Sequence, residues 1–141
     1  MSRFTNRIAF LTGAASGVGR ATTIRLASEG AAVFAVDVNT DGLTATAELA
    51  DNLEGSVTTR RLDVTDVADI AAAVTECVGV LGGIDIVGNI AGIARHHHIA
   101  EVSEADWDLM NSINLKGPFF VAQATMPHLL SLIHISEPTR P

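Results

Sequence analysis

The chain of 141 residues, 14.7 kDa, is the length of one domain, and with 48% hydrophobic and 18% charged residues it is too apolar to stay disordered. One cysteine excludes a disulfide framework and a zinc knuckle, and no apolar run reaches the ~18 residues of a membrane span. A net charge of −7 argues against a nucleic-acid footprint, so neither nucleic acid nor membrane is expected as a partner.

Arg7–Thr12 reads as a buried strand, followed by a glycine-rich turn at Gly13–Gly19 and a helix to about Glu29, stopped by Gly30. Ala32–Asp37 is a second strand. Thr40 and Asp41 can cap a helix to about Asn52, and Gly55 precedes a third strand at Ser56–Leu62. Thr65 is placed to cap a helix whose Val67, Ile70, Val74, Val78 and Leu81 follow helical spacing. Gly82-Gly83 ends it before a fourth strand, Ile84–Asn89. After a loop from Ile90 to Val102, Ser103 caps a long helical region with Trp107, Met110, Ile113, Gly117, Phe120 and Ala124 on one face. This alternation implies right-handed βαβ crossovers in an α/β doubly wound parallel sheet. The strand runs read as near-continuously apolar, as in strands buried on both faces.

The turn Thr12-Gly13-Ala14-Ala15-Ser16-Gly17-Val18-Gly19 passes from a strand into a helix. A dinucleotide pyrophosphate needs backbone N–H groups at a helix N-terminus with no side chains in the way. Gly13 permits the turn, Gly17 lets phosphates approach, and Gly19 lets the helix lie close to the strand. Asp37 ends the second strand eighteen residues after Gly19, placed to accept from both hydroxyls of an adenosine ribose. A solvated strand end is its bland alternative.

The spacing Gly13-x-x-x-Gly17-x-Gly19 resembles that of the short-chain dehydrogenase/reductase family. Leu62-Asp63-Val64 is similar to the family's adenine-contacting segment. Asn89-Ile90-Ala91-Gly92 is similar to its Asn-Asn-Ala-Gly, with Ile90 in place of the second Asn. Ile113-Asn114-Leu115-Lys116-Gly117 resembles its Asn-containing helix motif. The resemblance covers about residues 7–130.

It implies a Rossmann-like fold, here cut off after the long helix following strand four. It also implies NAD(H)-dependent interconversion of a small-molecule alcohol and ketone in a cytoplasmic enzyme, homo-oligomeric at full length. Cofactor contacts fall on Thr12, Gly13, Ser16, Gly17, Val18, Gly19, Asp37, Asp63, Val64, Asn89, Ala91 and Gly92. NAD is expected over NADP, because Asp37 would repel a 2′-phosphate and Ala15, Ser16 and Val38 offer no cation. Asn114 matches the family's catalytic asparagine, which organises a proton-relay water. The other partners, a serine and a Tyr-x-x-x-Lys, would lie at or beyond the chain's end, and the chain has no tyrosine. The alternative is a dinucleotide-binding module without catalysis. For Asn114 the bland reading is a bond to its own helix backbone that bends the helix.

Residues 1–129 form the expected NAD-binding part and 130–141 a tail foreign to it. Leu130–Arg140, eleven consecutive residues, resembles a translated sequencing adapter, which implies a reading frame that lost its second half. His96-His97-His98 reads as a solvated loop rather than a metal site, since adjacent histidines converge poorly on one ion. Cys77 reads as a small core residue, and Trp107, Phe119 and Phe120 as packing residues.

Overall fold

Phe10 and Phe34 stand directly opposite in neighbouring strands, their rings stacked with centroids 5.8 Å apart. Both rings are buried, each contributing about 1.5–3 kcal/mol by leaving water. Around this pair a computed structural model, describing residues 2–136, builds four parallel strands in the order β3-β2-β1-β4. These are β1 (Ile8–Thr12), β2 (Ala32–Asp37), β3 (Ser56–Arg61) and β4 (Ile86–Gly88). Helices α1 (Gly17–Ser28), α2 (Thr40–Leu49) and α3 (Val67–Leu81) make the crossovers, and α4 (Glu104–Asn111) and α5 (Gly117–Ser136) come after β4. The architecture is a Rossmann-like α/β fold.

Strand parity divides the core. Phe10, Phe34 and Val36 pack with Ile70, Val74 and Cys77 of α3 and Val121 of α5. Ala9, Leu11, Val33 and Ala35 pack on the opposite face with Ala27 of α1 and Leu43 of α2. Cys77 is the expected core residue, and burial pushes its thiol up to about 12.

Several expectations need correction. β1 and β2 are apolar up to their closing Thr12 and Asp37, and the short β4 is apolar, but β3 is not. Every position of β3 is exposed or half-buried, because an edge strand leaves one side to water. Asn39, not Thr40 or Asp41, caps α2 by accepting from the Gly42 amide, and Asp66, not Thr65, caps α3 by accepting from Asp69. Thr65 turns back to Asp63 instead. The loop after β4 contains a short 3-10 turn at Ile99–Glu101. Ser103 does cap α4, but the long helical region is broken by a π turn at Ser112–Lys116. Trp107 and Phe119 are 63% and 60% exposed, whereas Phe120 is half-buried against the core. Helix α5 continues to Ser136; the rest of the adapter-like stretch, from residue 137, lies outside the described residues.

Candidate functional site

A cleft of about 430 Å³ opens over the C-terminal ends of the strands. It lies where the strand order reverses, between β1 leading outward to β2 and β1 leading across to β4, which is where ligands lodge in doubly wound sheets. Ten of the residues expected from sequence line it: Gly13, Ser16, Gly17, Val18, Gly19, Asp37, Asp63, Val64, Ala91 and Gly92.

The glycine-rich turn forms one wall. Gly13 has φ +68°, and a Cβ there would come within 2.7 Å of the Ala91 nitrogen. Gly19 would drive a Cβ to 1.8 Å from the Gly13 carbonyl oxygen, so the helix start lies hard against the turn. At Gly17, φ +51°, an added Cβ meets nothing within 4 Å, so this position faces open space. Ser16 caps α1 through its backbone conformation alone and makes no side-chain capping bond. The first amides of α1 thus stand beside the cleft with no acidic side chain in the first turn, the condition for receiving an anion.

Asp37 defines another edge. Its Oδ2 accepts from the Ala15 amide at 3.1 Å and its Oδ1 from the Asn39 amide at 3.0 Å. Each oxygen keeps lone-pair capacity for a hydroxyl donor. Asp63 accepts from the Thr65 amide at 2.9 Å and the Thr65 hydroxyl at 2.7 Å, and these bonds hold its carboxyl below the usual range.

The structure places three expected residues outside the lining. Thr12 is 1% exposed; its hydroxyl accepts from the Ile90 and Ala91 amides, each at 3.0 Å, and donates to the Gly88 carbonyl at 3.4 Å. It pins β1 to the segment leaving β4. Asn89 is exposed and donates to the Pro118 carbonyl at 3.4 Å. Asn114, within the π turn, accepts from the Ile93 amide at 2.9 Å and donates to the Ile93 carbonyl at 2.8 Å. It therefore holds the loop after β4 rather than its own helix backbone.

Leu62, from the segment similar to the family's adenine-contacting one, lines the cleft, while sequence reading missed the rest of its apolar share, Val36, Val38, Ile90, Ile93 and Ile113. Position at a strand's C-terminal end was the available signal for Val36. Backbone amides, one free-edged carboxylate and an apolar flank can together hold an anion, a hydroxyl-bearing sugar and a flat ring. Away from the cleft, His98 Nδ1 accepts from the Ala100 amide at 3.3 Å, and His97 lies 4.0 Å from Asp106. Among the described residues no group of three or more His, Cys, Asp or Glu is placed to hold a metal ion. No helix among them is long and apolar enough to cross a membrane.

The sequence pattern of the short chain dehydrogenase family matches residues 7–135. The chain is 37% identical to the 3-oxoacyl-[acyl-carrier-protein] reductase FabG of Thermotoga maritima, over 96% of this chain and 57% of the relative. It is 42% identical to levodione reductase of Leifsonia aquatica, over 84% of this chain and 45% of that protein. Among solved structures, carveol dehydrogenase from Mycobacterium avium in complex with NAD superposes with a TM-score of 0.87 at 32% identity, covering 93% of this chain and 52% of that one. The chain spans about half the length of these relatives. Fold, cleft and kinship agree, and the chain belongs to the short-chain dehydrogenase/reductase family of oxidoreductases.

Proposed function

We propose that the chain is the cofactor-binding part, residues 1–129, of an NAD(H)-dependent oxidoreductase that interconverts an alcohol and a ketone. The observation that carries this reading is Asp37, a carboxylate tethered by two amides at the rim of a glycine-walled cleft. Its oxygens accept from the adenosine ribose hydroxyls, and the amides at the start of α1 receive the pyrophosphate. Asp63, Val64, Ala91 and Gly92 flank the rest of the ligand, while Thr12 and Asn89 support it from outside. A 2′-phosphate would meet the charge of Asp37 with no basic side chain at Ala15, Ser16 or Val38 to offset it, so NAD is preferred to NADP.

When bound, the nicotinamide supplies the hydride donor or acceptor. Proton transfer needs its own group, and general acid–base help typically contributes about 10²–10⁴-fold. Asn114 is the water-organising residue of that relay. With no tyrosine in the chain, residues 1–141 bind NAD without turnover. The parent enzyme is homo-oligomeric and cytoplasmic. The second reading is a dinucleotide-binding module without catalysis.

Calorimetric titration with NAD and NADP tests the assignment, on the chain and on Asp37→Ser, alongside NADH production across a panel of alcohols. The expected result is tighter binding of NAD, a preference narrowed by Asp37→Ser, and no turnover. Tighter binding of NADP by the unaltered chain rejects the cofactor assignment, and turnover abolished by Asn114→Ala rejects the inactivity. If a version extended to the relatives' length binds NAD yet reduces no ketone, the second reading replaces the first.

A further inference from the structure

Two polar side chains behind the glycine-rich turn are not used by the binding site as described. Thr46 of α2 is fully buried, and its hydroxyl, with the Gly42 carbonyl of its own helix at 3.1 Å, lies nearer the Ala14 carbonyl at 2.8 Å, to which it donates. Arg20 of α1 donates from Nε to that same hydroxyl at 3.0 Å. Its Nη2 donates to the Ala15 carbonyl at 2.7 Å and to the Gly42 carbonyl at 3.2 Å. Two consecutive carbonyls of the turn are thus gripped from outside the cleft. Gly42 makes room for the grip, because a Cβ there would lie 2.7 Å from the Ala15 oxygen.

Each peptide unit held in this way turns its N–H in the opposite direction. The Ala14 carbonyl belongs to the peptide whose N–H, that of Ala15, donates to Asp37 Oδ2 at 3.1 Å. The Ala15 carbonyl belongs to the peptide whose N–H is that of Ser16, a residue lining the cleft. A hydrogen bond at the carbonyl end of an amide polarises it and strengthens its N–H as a donor. We propose that Arg20 and Thr46 are positioning residues, which set the Ala15 amide and through it the Asp37 carboxylate, and so govern discrimination between NAD and NADP. The proposal rests on the dinucleotide reading above and adds two residues that touch no ligand.

The test measures NAD and NADP dissociation constants for the chain, Thr46→Val, Thr46→Ser and Arg20→Lys, with hydrogen exchange at the Ala15 amide. Thr46→Val, which keeps the shape and loses the hydroxyl, is expected to weaken NAD binding about fivefold, the effect of one lost hydrogen bond, with little change for NADP. Thr46→Ser restores the preference. Ala15 exchange quickens in Thr46→Val without ligand. Arg20→Lys keeps the charge but loses the two-sided grip, and shifts the ratio in the same direction. If Thr46→Val fails to fold, Arg20→Lys decides alone. An unchanged NAD:NADP ratio in a folded Arg20→Lys, or equal loss in the Ser and Val variants, overturns the proposal while NAD binding by the parent chain stands. If the parent chain binds neither dinucleotide, the functional reading and this proposal fall together.

Discussion

Gly17 and Gly19 stand two positions apart in one turn, yet a methyl group added to each meets a different obstacle. At Gly19 it would lie 1.8 Å from the Gly13 oxygen, so either the helix start or the turn must move. Gly19→Ala is expected to cost about 3 kcal/mol, the upper range for overpacking, and to lose ligand binding with stability. At Gly17 the methyl meets no protein atom, and only the positive φ of +51° is penalised. Gly17→Ala should therefore cost about 1–2 kcal/mol while still blocking the approach of an anion. Urea denaturation set beside NAD titration separates the two: stability and binding fall together in one variant, and binding falls further than stability in the other. These glycines were legible because their constraint is local. Thr12 was not readable in its observed role, since the amides it accepts from lie 78 and 79 residues away. Nothing beside it in sequence reports them.

At the scale of elements, the π turn at Ser112–Lys116 explains where the helical reading failed. One inserted residue rotates the downstream helix by about 100° relative to the upstream one. Ile113, Phe120 and Ala124 pack against the core, but Trp107, on the upstream helix, points away from that face and is 63% exposed. The turn also presents Asn114 outward to clasp Ile93 by donor and acceptor at once. Asn114→Ala is expected to destabilise the chain by only about 1–2 kcal/mol, but to release the loop that carries Gly92 and Ile93 to the cleft. Hydrogen exchange at the Ile93 amide should quicken before any change at β1 or β2; unchanged exchange there would contradict the clasp. The central strands were legible to within a residue, because burial on both faces writes a continuous apolar run. The Ser-Val-Thr-Thr-Arg-Arg of β3 was legible by its flanking turn residues, and its half-exposed character comes from having a neighbour on one side only. The caps of α2 and α3 were misplaced by a residue or two, since Asn, Thr and Asp compete for the cap where they stand in series.

Across the whole molecule, one buried carboxylate ties the N-terminal segment to the layer of α1. Glu29, 6% exposed at the end of α1, receives Arg3 Nη2 at 2.8 Å and Arg25 Nε at 2.5 Å. Chiefly these side-chain bonds, first from Arg3 and then from Arg25, lower its carboxyl from the ordinary 4.5 to about 2. A folded-state value below the unfolded one stabilises the protein above the unfolded value and stops doing so as acid protonates the group. Stability from Glu29 should be whole at neutral pH and drain away between 4.5 and about 2. Glu29→Gln is expected to lower the urea midpoint at neutral pH and to flatten its fall across that acid range. Parallel acid limbs for the two proteins would show the clamp to be without effect.

The cleft has two halves of unequal sequence reach, and this gives its assembly a fixed order. The side that carries Asp37 closes over 22 residues, from Ala15 to Asp37, and its outer grip is complete at Thr46. The opposite side hangs on Thr12 and waits for Ile90 and Ala91. Loop-closure entropy makes the longer connection the costlier one, and a chain leaving the ribosome has no Ile90 to offer when the first half is already made. A growing polypeptide therefore carries the Asp37 edge of the cleft before the Ile90 side exists. The hydroxyl of Thr12 is the latch on which that side waits.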